Sequence, residues 1–351
     1  MNGGNERPTA GDPDGNGFAL VIIDPDANTV RYALFVANIG APTMAHIHRG
    51  TSDVAGPVVV NFNPSFTNGT ASGTVAVGAG NNALLNEIIG NPGGFYVNVH
   101  NGEFPAGAIR GQLVAAASDA TDSVFPIVGR AAGANGTFYR TDIALLNRSG
   151  QDTSVVFEYY PAGPSGNATP LKIASLDLDA DEQRTLVGDE LQQLLGLGDG
   201  LGAIRILAPR NIIAVARIYN DKRTVGEGTF SQFVPSQPGT SNRTSGTLPM
   251  LSNAQAATGA GYRTNIGWFN AGPSEVTVTW RVHGPDGAEW ATTTRTVAAR
   301  AQEQVGVDGL FPGLQAADSL YVTFSTQGGP LYVYASSVDN VNGDALFIPA
   351  Q

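Results

Sequence analysis

The segment Ala45-His46-Ile47-His48-Arg49-Gly50 alternates small or apolar residues with histidines. In a β-strand, residues i and i+2 lie on the same face. Ala45 and Ile47 therefore face one way and His46 and His48 the other. A second segment, Asn91-Pro92-Gly93-Gly94-Phe95-Tyr96-Val97-Asn98-Val99-His100, alternates in the same way and ends on a third histidine. The chain has 351 residues and four histidines, three of which fall in these two segments. The pattern predicts a β-sandwich whose three imidazoles form either a metal site or a buried polar knot.

Moving outward, residues 18–23, 30–36, 45–48, 58–62, 71–77, 94–100 and 108–114 read as strands bounded by Gly, Pro, Asn and Asp. Residues 82–89 read as a short helix with Leu84, Leu85, Ile88 and Ile89 on one core-facing stripe. A polar stretch over 115–123 reads as a linker.

Beyond it the chain repeats itself. Tyr139-Arg140-Thr141-Asp142-Ile143 matches Tyr262-Arg263-Thr264-Asn265-Ile266, an offset of 263 − 140 = 123, and Asn147 matches Asn270. Phe125-Pro126-Ile127-Val128 matches Leu248-Pro249-Met250-Leu251, Glu182-Gln183 matches Glu303-Gln304, and Phe233-Val234-Pro235 matches Phe347-Ile348-Pro349. Each copy has the length of one sandwich domain rather than of a solenoid unit. Each carries a helical insertion, over 188–195 and 308–314. Residues 236–247, rich in Ser, Gly, Thr and Pro, read as a linker between copies. The expected organisation is all-β: three tandem antiparallel β-sandwiches, 1–117, 118–240 and 241–351, the last two homologous and Ig-like. In the repeated Tyr-Arg-Thr, each arginine is expected to pair with the glutamate of its own copy, Glu182 or Glu303, the alternative being a duplicated ligand site.

The first block resembles the CHRD domain, named from chordin and common in bacterial secreted proteins. The resemblance rests on Asn2-Gly3-Gly4-Asn5-Glu6, Gly11-Asp12-Pro13-Asp14-Gly15, the two histidine segments, Gly56-Pro57-Val58-Val59-Val60, and Glu103-Phe104-Pro105-Ala106-Gly107-Ala108-Ile109-Arg110-Gly111-Gln112-Leu113. It covers about a third of the chain. It implies an antiparallel sandwich and an extracellular or cell-surface setting, with an export signal removed ahead of Met1. Bacterial relatives often carry a cysteine pair. This chain has no cysteine, which excludes disulfides and thiolate metal ligands.

A net charge of −11 and no basic patch argue against nucleic acid and anionic membranes. No apolar run is long enough to span a bilayer. No G-x-S-x-G elbow, H-E-x-x-H or Walker loop occurs, which favours a non-enzymatic reading and leaves a metalloenzyme built on the histidines as its rival. His46, His48 and His100 could together ligate copper or zinc. Alternatively, they could bond backbone carbonyls, Glu103 or one another. Asp12-Pro13-Asp14-Gly15 begins like a calcium loop but lacks the closing glutamate, and reads as a turn. Trp268, Trp280, Trp290, Tyr159 and Tyr160 are candidate sugar-binding aromatics, with core burial the reading preferred for Trp268 and Trp280. The functional expectation is a bacterial extracellular structural or adhesive protein, with protein partners, self-assembly or an extracellular polysaccharide. The alternatives are a copper- or zinc-binding protein or metalloenzyme using the three histidines, and a set of carbohydrate-binding modules.

Overall fold

A computed structural model describes residues 1–78, 80, 82–133, 136–167, 169–222, 228–254 and 260–351. The protein is all-β, built of antiparallel sheets, and folds as two compact units, Met1–Asp119 and Ala120–Gln351.

The first unit contains β1 (Asn16–Asp24), β2 (Thr29–Ala37), β3 (Pro42–Arg49), β4 (Val58–Asn61), β5 (Thr70–Ala76), α1 (Asn82–Gly90), β6 (Phe95–Asn101) and β7 (Ile109–Gln112). One sheet runs β1-β2-β5 and the other β4-β3-β6-β7. Period-two alternation builds the core between them: Val30, Tyr32 and Leu34 from β2 meet Ala45 and Ile47 from β3 and Phe95, Val97 and Val99 from β6. All seven expected strands and the helix are present. The helix differs in one respect: Leu85 and Ile88 are buried, but Ile89 is exposed. A helix of barely two turns lying on a sandwich presents one narrow edge to it, and Ile89 falls outside that edge.

The second unit contains two copies of one sheet plan. The first copy comprises β8 (Thr121–Ala132), β9 (Phe138–Asn147), β10 (Thr153–Pro161), β11 (Lys172–Leu178), β12 (Gln183–Leu186), α2 (Glu190–Leu195), β13 (Gly200–Ala208), β14 (Ile212–Asp221), β15 (Thr229–Pro235) and β16 (Gln237–Pro238). The second comprises β17 (Ser245–Leu251), β18 (Tyr262–Phe269), β19 (Val276–His283), β20 (Glu289–Val297), β21 (Gln302–Gly306), α3 (Val307–Leu310), β22 (Leu320–Gln327), β23 (Tyr332–Asp339) and β24 (Ala345–Pro349). The order β11-β10-β13-β8 is answered by β20-β19-β22-β17. Likewise β12, β9, β14 and β15 are answered by β21-β18-β23-β24. β19 shows the alternation in its simplest form: Val276, Val278, Trp280 and Val282 are buried and the residues between them are not.

The repeated residues hold the same places. Asn147 gives its amide protons to the carbonyls of Gln151 (2.7 Å) and Asp179 (2.8 Å), and Asn270 gives its own to Ser274 (2.8 Å) and Ala298 (3.0 Å). Each Oδ1 accepts a backbone N–H two residues on. Thr141 Oγ1 accepts from Gly129 N (2.8 Å) and Thr264 Oγ1 from Ser252 N (3.1 Å), tying the first strand of each copy to the second.

The arginines depart from expectation. Arg140 reaches Asp189 (3.4 Å), not Glu182, and Arg263 donates to Asn340 Oδ1 (2.8 Å), not Glu303. Glu182 instead bonds Asp179 N and Arg184, and Glu303 accepts from Trp268 Nε1. The expected linker over 236–247 is largely paired: Gln237 pairs with Val124 on β8, and Arg243 exchanges both backbone bonds with Leu331. Its turn-rich composition marks bends between short paired pieces. Val124, Tyr160, Ala203, Phe269 and Tyr332 form an apolar cluster across the two copies.

Candidate metal centre

The core face of β3 and β6 carries apolar side chains, so the opposite face receives His46, His48, Asn98 and His100. Register puts His46 beside Asn98, His48 beside Tyr96 and Met44 beside His100. Loops close over this face, and the three histidines are buried despite lying outside the apolar core. The expected triad therefore converges: one ligand nitrogen from each ring lies within 4.8 Å of the other two.

The hydrogen bonds fix the tautomers. His48 Nδ1 lies 2.8 Å from the Gly56 carbonyl and His100 Nδ1 lies 3.0 Å from the Pro105 carbonyl. A carbonyl only accepts, so both Nδ1 atoms carry the proton and both Nε2 atoms carry a lone pair. His48 Nε2 is buried with no hydrogen-bond partner. His100 Nε2 lies 3.1 Å from His46 Nδ1, which donates to it in the metal-free protein. The rings are thus held by Gly56, Pro105 and one another. Glu103 takes no part.

Gly56 is required where it stands. A Cβ there would meet the Arg49 carbonyl at 1.5 Å. The close passage aims the Gly56 carbonyl at His48 while its N–H donates to Tyr96 Oη (3.1 Å).

Behind the histidines is a wall that sequence reasoning missed. Tyr96 stacks on His48 with centroids 4.9 Å apart and planes at 13°, and the Arg110 guanidinium lies 3.4 Å from the Tyr96 centroid on β6's neighbour β7. Arg110 is buried and donates to the carbonyls of Thr51 (2.6 Å) and Val54 (3.0 Å) and to Gln112 Oε1 (3.0 Å). Glu6 is buried too, against Gly107, where a Cβ would touch its carboxylate. The available signal was Arg110 at a strand position between apolar neighbours, with Glu6 the acid in the matching opening motif.

Burial holds the His46 pKa down to about 4, helped by the neighbouring His100 and His48. Burial also lowers His48 and His100, though their carbonyl partners pull the other way. Burial pushes the Glu6 carboxyl up to about 7 against the pull of Arg110 and Asn98. At neutral pH the three rings are uncharged, the state a metal needs.

The other candidates resolve simply. Asp12-Pro13-Asp14-Gly15 is a turn into β1, with Gly15 N bonded to the Asp12 carbonyl. His283 lies in the second unit, stacked on Tyr321 and bonded to Thr323. Trp268, Trp280, Tyr159 and Tyr160 are buried; of the five aromatics only Trp290 is exposed. No helix among the described residues is long and apolar enough to cross a membrane.

A β-sandwich bearing three convergent histidines on its outer face defines the first unit. Residues 1–113 match the model of the CHRD domain family, so this unit is a CHRD-type sandwich, as the motifs implied. No curated protein matches the chain. Among solved structures, a protein from Parabacteroides distasonis whose secretion is itself predicted aligns at 8% identity and a TM-score of 0.16, over 68% of this chain and 82% of its own. A likeness at that level carries no weight for fold or function.

Proposed function

We propose that this is an extracellular protein whose CHRD-type sandwich binds one copper or zinc ion through His46, His48 and His100. The observation that carries the reading is the orphaned, buried His48 Nε2, aimed into the same space as the ring nitrogens of His46 and His100. In metal sites a histidine's second nitrogen usually donates to a carbonyl or carboxylate, as the Nδ1 atoms of His48 and His100 do here. The 3.1 Å between His46 Nδ1 and His100 Nε2 also matches the ligand separation of about 3.3 Å across a tetrahedral zinc. A bound ion would polarise whatever took a fourth position. The protein's part is to hold three neutral imidazoles and keep bulk water out. The extracellular assignment rests on the CHRD match.

Isothermal titration of the metal-free full chain with Zn2+ and, under reducing conditions, Cu+ tests this. Saturable binding of one ion, lost in His46→Ala and His100→Ala, supports it. No binding of either ion sinks it.

For the second unit we propose a structural or adhesive role, with 118–240 and 241–351 acting as two Ig-like domains. Support comes from the apolar cluster joining the copies and from buried polar networks that brace turns. Sedimentation of the full chain and pull-down on cell-surface polysaccharide test it. A monomer that retains no polymer argues against it. A glycan-binding module set is a weaker reading, because four of the five candidate aromatics are core residues.

A further inference from the structure

The second unit holds a cavity of about 270 Å³ between its two copies. A comparison of the copies shows how its polar lining differs from the matching positions of the first copy. On β9 and β14, Asp142 and Arg217 sit opposite each other and form an ion pair at 2.7 Å. The corresponding positions on β18 and β23 are Asn265 and Ser336, again direct partners. Where the first copy has a charged pair the second has two neutral groups, an amide the size of the aspartate and a hydroxyl much shorter than the arginine, and both line the cavity. The matching arginines have diverged with them. Arg140 is neutralised by Asp189. Arg263 lines the cavity and, among the described residues, bonds only Asn340 Oδ1.

Two glutamine amides of the lining are oriented by hydroxyl donors. Tyr334 Oη gives its proton to Gln304 Oε1 (2.9 Å), and Ser336 Oγ gives its own to Gln232 Oε1 (2.9 Å). Both amides therefore present Nε2–H groups, and neither Nε2 has an acceptor among the described residues. Gln232 is itself only 8% exposed. A cationic guanidinium and two amide groups share the lining with Ile127, Leu201, Ile218 and Val338, Val338 being the cross-strand partner of Arg263 and Ile218 that of Gln232. Ser336 and Tyr139 have given up their hydroxyl protons and present oxygen lone pairs, so the pull on an anion comes from the Arg263 guanidinium, which has no carboxylate partner among the described residues, and from the two amide N–H groups. The apolar wall selects a ligand with a hydrocarbon body, and a volume near the lower end of small-molecule sites keeps it small.

We infer that the cavity between the two copies binds a small monocarboxylate with an apolar body, its carboxylate held by Arg263, Gln232 and Gln304. The metal site lies in the other unit, and the two proposals stand or fall separately.

The probes are acetate, butyrate, octanoate and benzoate, titrated calorimetrically into the full chain, with octanol as the uncharged control. Octanoate or benzoate is expected to bind one per chain and octanol not measurably. Arg263→Gln is expected to weaken binding by about tenfold to a hundredfold, the worth of one charge-assisted hydrogen bond. The double variant Asn265→Asp, Ser336→Arg rebuilds the first copy's ion pair inside the cavity and is expected to abolish binding. Three results overturn the inference: no probe binds, octanol binds as well as octanoate, or Arg263→Gln leaves affinity unchanged. If the double variant does not fold, Arg263→Gln decides.

Discussion

His46 Nδ1 and His100 Nε2 stand 3.1 Å apart across two adjacent strands, on the side of the sheet that faces away from the apolar core. Burying polar rings there is costly unless each nitrogen is satisfied. Carbonyls satisfy two of them, His46 Nδ1 donates to His100 Nε2, and one nitrogen of each ring lies close to the other two. The first unit therefore has two centres of order, an apolar one between its sheets and a polar one outside them, and the predictions below separate their contributions.

Stability should depend on pH in two opposing ways. His46 has an ordinary pKa of 6.5 and is held to about 4 when folded. Between those values the unfolded chain takes up a proton that the native state refuses, so stability falls as pH drops from 6.5 towards 4. Glu6 is raised from 4.5 to about 7. The native state keeps a proton that the unfolded chain releases, so this contribution falls as pH rises through that window. Each slope is bounded at about 1.4 kcal/mol per pH unit. Urea denaturation of the metal-free protein should show Glu6→Gln rising more steeply than wild type between pH 4.5 and 6.5. His46→Asn should fall more steeply over the same range. Unchanged slopes in both variants would contradict the assigned burial.

Arg110 braces the three-histidine cluster without touching it. Its guanidinium bonds two carbonyls and an amide oxygen and lies on the face of Tyr96, which lies on His48. A lysine cannot span those acceptors or stack flat. Arg110→Lys should cost about 2–4 kcal/mol in denaturant unfolding and weaken metal binding, with the stoichiometry unchanged.

Asn270 should not tolerate aspartate. Its Nδ2 donates to the carbonyls of Ser274 and Ala298, and a carboxylate there would face acceptors only. Asn270→Asp and Asn270→Ala should each destabilise by about 2–3 kcal/mol, and Asn147→Asp should behave alike. Thermal unfolding of the three single variants checks this, and tolerance of either aspartate would refute the shared bracing role.

Much of this was legible in the sequence. Alternation gave the seven strands of the first unit, because each buries one face. The matched Asn147 and Asn270 revealed the duplication, because both brace the same turn. The His-x-His pattern placed two histidines side by side, and the third followed from the same alternation on β6. Other features depend on pairings between residues far apart in the chain. Glu6 and Arg110 meet beside the site through the register of β7 with the N-terminal segment. Arg140 and Arg263 look alike in sequence, yet their partners lie on loops that differ between copies, Asp189 in one and Asn340 in the other. Trp268 and Trp280 read as core by alternation and are core. Tyr159 and Tyr160 are adjacent in sequence, so alternation places at most one of them on a given face, yet both are buried.

X-ray absorption at the metal edge of the copper- or zinc-loaded full chain tests the central claim most directly. The account predicts one ion per chain with three nitrogen scatterers at about 2.0 Å and the outer-shell signature of imidazole, reduced to two in His48→Ala. A first shell of oxygen alone, or a spectrum unchanged in His48→Ala, would contradict it.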